Sequence, residues 1–90
     1  MSHHTPARRT YLYIETRFIG ASLSKEHRVS TVLAYVPVLA ATVTDACVRG
    51  KRLLAAELKR HPKRYRVFLL GKYLNIHTIP LDGVQGIRRS

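Results

Sequence analysis

The chain is poor in the residue types on which enzymes and metal sites depend. Its 90 residues include a single cysteine, Cys47, so neither an intrachain disulfide nor a cysteine-based zinc cluster can form. The five acidic residues are widely spaced, and the five histidines show no ligand spacing on a shared helical turn. A glycine-rich phosphate loop and a nucleophile elbow are also missing. We therefore expect a non-catalytic protein with no cofactor and no resident metal.

Negative charge is scarce as well. Sixteen Lys and Arg face five Asp and Glu, which leaves a net charge of +11. This excess favours anionic partners, namely nucleic acid, an anionic membrane surface or acidic surfaces of neighbouring subunits. The hydrophobic content of 46% is typical of a folded chain. Ninety residues form one domain at most, and so small a core is expected to need a partner or a bilayer.

The first 19 residues predict an extended segment. Residues 1–9 form a basic arm, and residues 10–19 alternate between two sets of side chains, a pattern typical of a half-buried strand. Leu12, Ile14 and Phe18 share one side, which we expect to face the core. The other side is then either an ordinary solvated strand face or a nucleic-acid stacking surface made of Tyr11, Tyr13 and Arg17.

The longest charge-poor stretch covers residues 29–48. Its one formal charge is Asp45 and its one strong helix disruptor is Pro37. The pattern predicts a central helix over 24–48, kinked at Pro37 and broken near Gly50. As a helix, residues 29–48 extend about 30 Å, roughly the thickness of the hydrocarbon core of a bilayer. The helix is therefore either a transmembrane span or the buried helix of a small basic domain.

One face of this predicted helix is small and weakly polar. Such a face suits close helix–helix packing in a membrane bundle or in a soluble assembly. Under either interpretation, we expect the helix to be packed on both sides. The predicted packing residues are Ser30, Ala34, Ala41 and Asp45.

The last 40 residues predict a short helix over 51–61 and a β-hairpin over 65–79, turning at Gly71. Both hairpin strands are apolar on both faces, which implies a partner surface such as a second copy. The densest basic cluster of the chain lies where the predicted helix ends and the hairpin begins. It is either a solvated loop or a site for RNA phosphates or lipid headgroups. Its members are Lys59, Arg60, Lys63, Arg64 and Arg66.

The predicted fold class is a small single α+β domain over residues 10–90. Its layout is generically similar to that of single-span accessory subunits of respiratory or ATP synthase complexes. The first functional hypothesis is therefore a structural subunit of such a complex in the mitochondrial inner membrane. Its partners would be anionic lipids and other subunits. The alternative is a small, soluble, intracellular RNA- or DNA-binding protein or ribonucleoprotein component. A third hypothesis is a viral or phage accessory protein that dimerises through its strands.

Overall fold

A computed structural model describes residues 7–20 and 30–81 of the chain. These residues form a small α+β domain with three antiparallel strands and one main helix. The elements, in chain order, are β1 (Arg9–Ile19), β2 (Ser30–Ala40), α1 (Val43–Arg60), α2 (Arg66–Leu70) and β3 (Lys72–Pro80).

The strand order in the sheet is β2-β1-β3, with β1 at the centre. β1 pairs with β2 without interruption from Arg9 opposite Ala40 to Ile19 opposite Ser30. The pairing of β1 with β3 is irregular between Thr16 and Arg17. Because α1 and α2 connect the two edge strands, the chain crosses over one face of the sheet before β3 completes it.

The core lies between α1 and one face of this sheet. Tyr13 and Leu54 are its largest fully buried side chains. Burial of a leucine side chain stabilises a fold by about 1.5–3 kcal/mol relative to exposure. Small residues at the interface allow α1 to lie close to the sheet. The remaining buried core residues are Tyr11, Ala34, Val38, Ala40, Ala46 and Phe68.

Gly50 is the point of closest approach between α1 and β1. A Cβ atom built on Gly50 would lie 2.3 Å from Cγ and 2.4 Å from Cβ of Tyr13. Since such distances are shorter than van der Waals contact, any larger residue would push the helix off the ring. The prediction that a helix breaks near Gly50 is wrong. The glycine is buried inside a continuous 18-residue helix.

The predicted central helix over 24–48 is also wrong, because residues 30–40 form β2. The stretch contains three valines, which favour strands, and its buried residues Ala34, Val38 and Ala40 recur at even positions. Leu33, Tyr35 and Leu39, on the opposite face, are apolar too. Alternation between two apolar faces leaves no polar contrast, and the stretch then resembles a buried helix. Residues 24–29 lie outside the described ranges.

Pro37 has a different role from the predicted helix kink. It lies opposite Leu12 in β2, and β2 is an edge strand. Proline lacks an N–H donor and is tolerated in sheets where that position points away from the neighbouring strand. Because a proline at an open edge removes a donor for further strand pairing, Pro37 hinders extension of the sheet beyond β2.

The main helix begins only at Val43. Thr42 has an extended backbone, and its Oγ1 accepts a hydrogen bond from the backbone N–H of Asp45 at 3.1 Å. A threonine cap with an acidic residue in the first turn is a favourable helix start. No helix in the described ranges is long and apolar enough to cross a membrane. The membrane-anchor hypothesis therefore loses the helix on which it depended.

The C-terminal prediction is partly correct. The strand predicted over 73–79 is present as β3, but residues 66–70 form the short helix α2. β3 pairs with β1 and not with residues 65–70, so no hairpin forms. The free edge of β1 offers β3 a longer partner than the predicted six-residue strand over 65–70 would. The apolar character of residues 65–79 alone does not reveal which strand β3 pairs with.

We predict that Gly50→Ala destabilises the fold. Overpacking against Tyr13 costs about 1–3 kcal/mol, and this loss exceeds the gain of up to ~1 kcal/mol in helix propensity. Urea denaturation measures the change. Ala55→Gly, at an exposed position of the same helix, reports the propensity difference alone. A Gly50→Ala protein that is more stable than the wild type would contradict the close contact.

Candidate nucleic-acid interface

The basic residues of α1, of the turn after it and of the first position of α2 are grouped in one exposed segment. Residues 43–66 carry eight basic side chains and two carboxylates, a net charge of +6. All eight basic residues are exposed. We call this set the basic surface. Its members are Arg49, Lys51, Arg52, Lys59, Arg60, Lys63, Arg64 and Arg66.

The helix directs these side chains away from the core. Ala46, Gly50 and Leu54 recur every four residues and are buried against the sheet. At about 100° per residue, Arg52 and Lys59 lie on the opposite side of α1. The basic residues of α1 run from Arg49 to Arg60, and twelve residues at about 1.5 Å each extend the charges over about 18 Å. The basic surface is therefore elongated and follows the helix axis.

Glu57 organises the C-terminal end of the basic surface. Its Oε2 lies 3.5 Å from Nη1 of Arg64 and 3.4 Å from the Tyr65 hydroxyl, which donates to it. Its Oε1 lies 3.8 Å from Nη1 of Arg60, and Oε2 lies 4.0 Å from Nε2 of His61. One half-buried carboxylate therefore links the last turn of α1 to the turn that follows.

The turn itself borders a shallow depression of about 390 Å³. The guanidinium of Arg64 lies 5.9 Å from the centre of the Tyr65 ring, within the range of a cation–π contact. The depression is mostly open to solvent and lined by two arginines, a lysine and a histidine, groups that suit an anion. The lining residues are Arg60, His61, Pro62, Lys63 and Arg64.

Much of the basic surface has no internal counter-charge. At the other end of α1, Asp45 pairs with Arg49 at 2.9 Å, and both side chains are well exposed. Within residues 7–20 and 30–81, no carboxylate lies within ion-pair distance of the remaining basic side chains. An anionic partner would therefore meet positive charge that the fold itself does not use. The basic side chains without a carboxylate partner among the described residues are Lys51, Arg52, Lys59, Lys63 and Arg66.

The predicted stacking surface lies on the wrong side of β1. Tyr11 and Tyr13 are buried beneath α1, at 5% and 0% exposure. The Arg17 guanidinium lies 4.3 Å from the centre of the Phe68 ring, and its Nη1 donates to the Phe68 carbonyl oxygen at 3.2 Å. These side chains hold the helices on the sheet. Their rings are not presented to bases.

The predicted helix-packing residues do not share a helix face. Ser30 and Ala34 belong to β2, where Ser30 is exposed and Ala34 is buried under α1. Ala41 lies in the connection to α1, and Asp45 lies in the first turn. Of the four, Ala34 alone is fully enclosed.

The predicted basic cluster over 59–66 is exposed as a unit, but sequence reasoning omitted its continuation on α1. The predicted cluster did not include Arg49, Lys51 and Arg52. The available signal was the spacing of the small and apolar residues Ala46, Gly50, Leu54 and Leu58, which places one continuous helix over 43–60.

Comparison of this chain with protein-family models, with curated proteins and with solved structures gave no match. The basic surface is therefore interpreted from its own geometry and charge.

Removal of the Glu57 carboxylate should loosen the turn after α1. We expect Glu57→Gln to lower the free energy of unfolding by about 0.5–1 kcal/mol, a modest loss because its partners are largely exposed. The loss should shrink in 1 M NaCl, where the Debye length falls to about 3 Å. Thermal unfolding at low and high salt measures this. An equal loss at both salt concentrations would indicate packing and not charge.

Tyr13 should make the fold sensitive to alkaline pH. Burial, together with the hydrogen bond that its hydroxyl donates to Glu15 Oε2 at 2.6 Å, raises the pKa of Tyr13 above its ordinary value. The unfolded chain releases this proton near pH 10, while the folded chain retains it. Stability from this group is therefore complete below about pH 10 and declines as the pH rises above it.

Urea denaturation between pH 8 and pH 11.5 tests this expectation. Tyr13→Phe cannot ionise, so its stability should decline less steeply above about pH 10 than that of the wild type. Tyr35→Phe, at an exposed tyrosine, serves as the control and should follow the wild type. Parallel curves for the wild type and Tyr13→Phe would contradict the assignment.

Proposed function

We propose that this protein is a non-catalytic nucleic-acid-binding protein that contacts phosphates through α1 and the turn after it. The observation that carries the proposal is the basic surface, eight exposed Lys and Arg within residues 49–66, five of which lie on α1. Double-stranded DNA carries about one negative charge per 1.7 Å of axis, so charges spread over about 18 Å of α1 meet several phosphates. Base readout is not part of the proposal.

The internal charge pattern supports this function over that of a merely solvated surface. Two carboxylates in residues 43–66 are each paired with arginine, and the other basic residues have no such partner among the described residues. Like charges concentrated on one helix repel one another and cost stability unless an anion neutralises them. Polyanion binding removes that repulsion and releases the counterions condensed on the nucleic acid.

The proposal predicts a steep dependence of binding on salt. Each phosphate contact contributes about −0.9 to the slope of log K against log salt for B-DNA and about −0.7 for single strands. Arg52→Gln/Lys59→Gln should therefore reduce the slope on duplex DNA by about 2 and weaken binding roughly tenfold or more at moderate salt. Fluorescence anisotropy with a labelled duplex and a labelled single-stranded RNA measures both quantities.

A matched control separates the basic surface from net charge. Arg8→Gln/Lys72→Gln removes the same two charges at exposed positions outside α1 and the following turn. We expect this double variant to retain most of the affinity and the salt slope. Equal losses of affinity in the two double variants would show that overall charge, and not the position of the charges, determines binding. Failure of the wild type to bind either nucleic acid, or binding to anionic vesicles alone, would overturn the proposed function.

A further inference from the structure

The outer face of the sheet is apolar and is left open by the described helices. Both α1 and α2 pack on the opposite side, where Tyr13 and Phe68 are buried. Leu33, Tyr35 and Leu39 of β2 are 57%, 55% and 53% exposed. The register places them beside the central residues of β1. We call this surface the open face. Its apolar members are Leu12, Ile14, Phe18, Leu33, Tyr35, Pro37, Leu39 and Ile79.

The open face is almost uncharged, although the chain carries +11. The remaining residues that β1 and β2 contribute to the open face are all threonines, namely Thr10, Thr16 and Thr31. Lys72, at one end of β3, is its one Lys, Arg, Asp or Glu among the described positions, and β3 also contributes the polar residues Asn75 and His77. Antiparallel sheets covered on one side ordinarily present polar side chains on the other. Here, apolar side chains occupy that place.

We propose that the open face is the interface of a homodimer, in which two copies pack their sheets face to face. A basic chain repels a second copy over most of its surface, whereas the open face adds almost no like charge. Face-to-face sheets lie about 10 Å apart with interleaved side chains. Both basic surfaces then point outward, because α1 lies on the far side of each sheet.

The size of the open face suits a second copy of the sheet. Three strands about 4.8 Å apart and about 30 Å long give a flat area of roughly 400–500 Å². Protruding leucine and tyrosine side chains raise the accessible area towards the ~800 Å² per partner of a standard interface. We therefore expect a dimer of micromolar affinity, at the weak end for such interfaces.

The rest of the chain offers little apolar surface with which to cover this face. Residues 1–6, 21–29 and 82–90 include six charged residues among 24. Their large apolar side chains are spread over three separate stretches and are fewer than those of the open face. They are Met1, Leu23, Val29, Val84 and Ile87.

Sedimentation equilibrium of the full chain over a concentration series tests the dimer, after nuclease treatment so that bound nucleic acid does not bridge copies. We expect the mass to rise from 10.3 kDa to twice that value with concentration. Leu33→Lys/Tyr35→Lys places like charges in the interface and should raise the dissociation constant by roughly a hundredfold. Both side chains are more than half exposed, so the monomer fold should tolerate the change.

Leu70→Lys is the matched control, because Leu70 is 73% exposed on α2 and lies off the open face. It should dimerise as the wild type does. Circular dichroism checks that each variant is folded, and Leu39→Lys provides a second, single change. A wild type that remains monomeric at several hundred micromolar, or a dimer that Leu70→Lys disrupts while the open-face variants do not, would overturn the proposal. Nucleic-acid affinity is measured separately, so either proposal can fail alone.

Discussion

The contact between Gly50 and the Tyr13 ring governs the arrangement of the whole fold. The absence of a side chain at Gly50 lets the backbone of α1 rest on the central strand. That contact decides which side of β1 is inside, since Tyr11 and Tyr13 can be enclosed only beneath a helix that approaches so closely. Once the tyrosines are buried, Leu12, Ile14 and Phe18 on the other side of the strand must face outward. The basic surface and the open face both result from this orientation of β1.

The fold thereby places the open face away from the basic surface, although α1 and α2 also expose apolar side chains such as Val48, Leu53 and Leu70. Basic side chains occupy the outward side of α1 and the turn after it, while uncharged and apolar side chains occupy the outer face of the sheet. Separation of this kind keeps two functions from competing, because a polyanion is attracted to one side and an apolar partner to the other. Glu57 serves the basic side by tying the turn to the helix, so that the charges at the end of α1 hold a defined position.

Residue patterns predicted the bounds of β1 and β3 well, but they assigned the wrong side of β1 to the core and predicted 30–40 badly. The strand over 9–19 alternates cleanly, and β3 is bounded by Gly71 and Pro80. In β2, however, alternation between Ala or Val and Leu or Tyr has no polar contrast, so periodicity does not distinguish a strand from a buried helix. Pro37 suggested a kinked helix, although an edge strand accommodates it equally well. For the candidate interface, the cluster over 59–66 was recognisable as a run of charges, whereas its extension to Arg49 and Arg52 required the true start of α1.

The sequence by itself determined the excess of positive charge, the scarcity of catalytic residue types, the α+β class and the alternation of two sets of side chains on β1. These properties depend on composition and local spacing. The tertiary structure alone decided which pattern faces the core, which strand β3 joins and where the main helix begins. Each of these outcomes depends on contacts between residues far apart in the chain, above all between Gly50 and Tyr13. A strand with large hydrophobic or aromatic residues on both sides leaves its orientation open, and the helix that packs against it makes the choice.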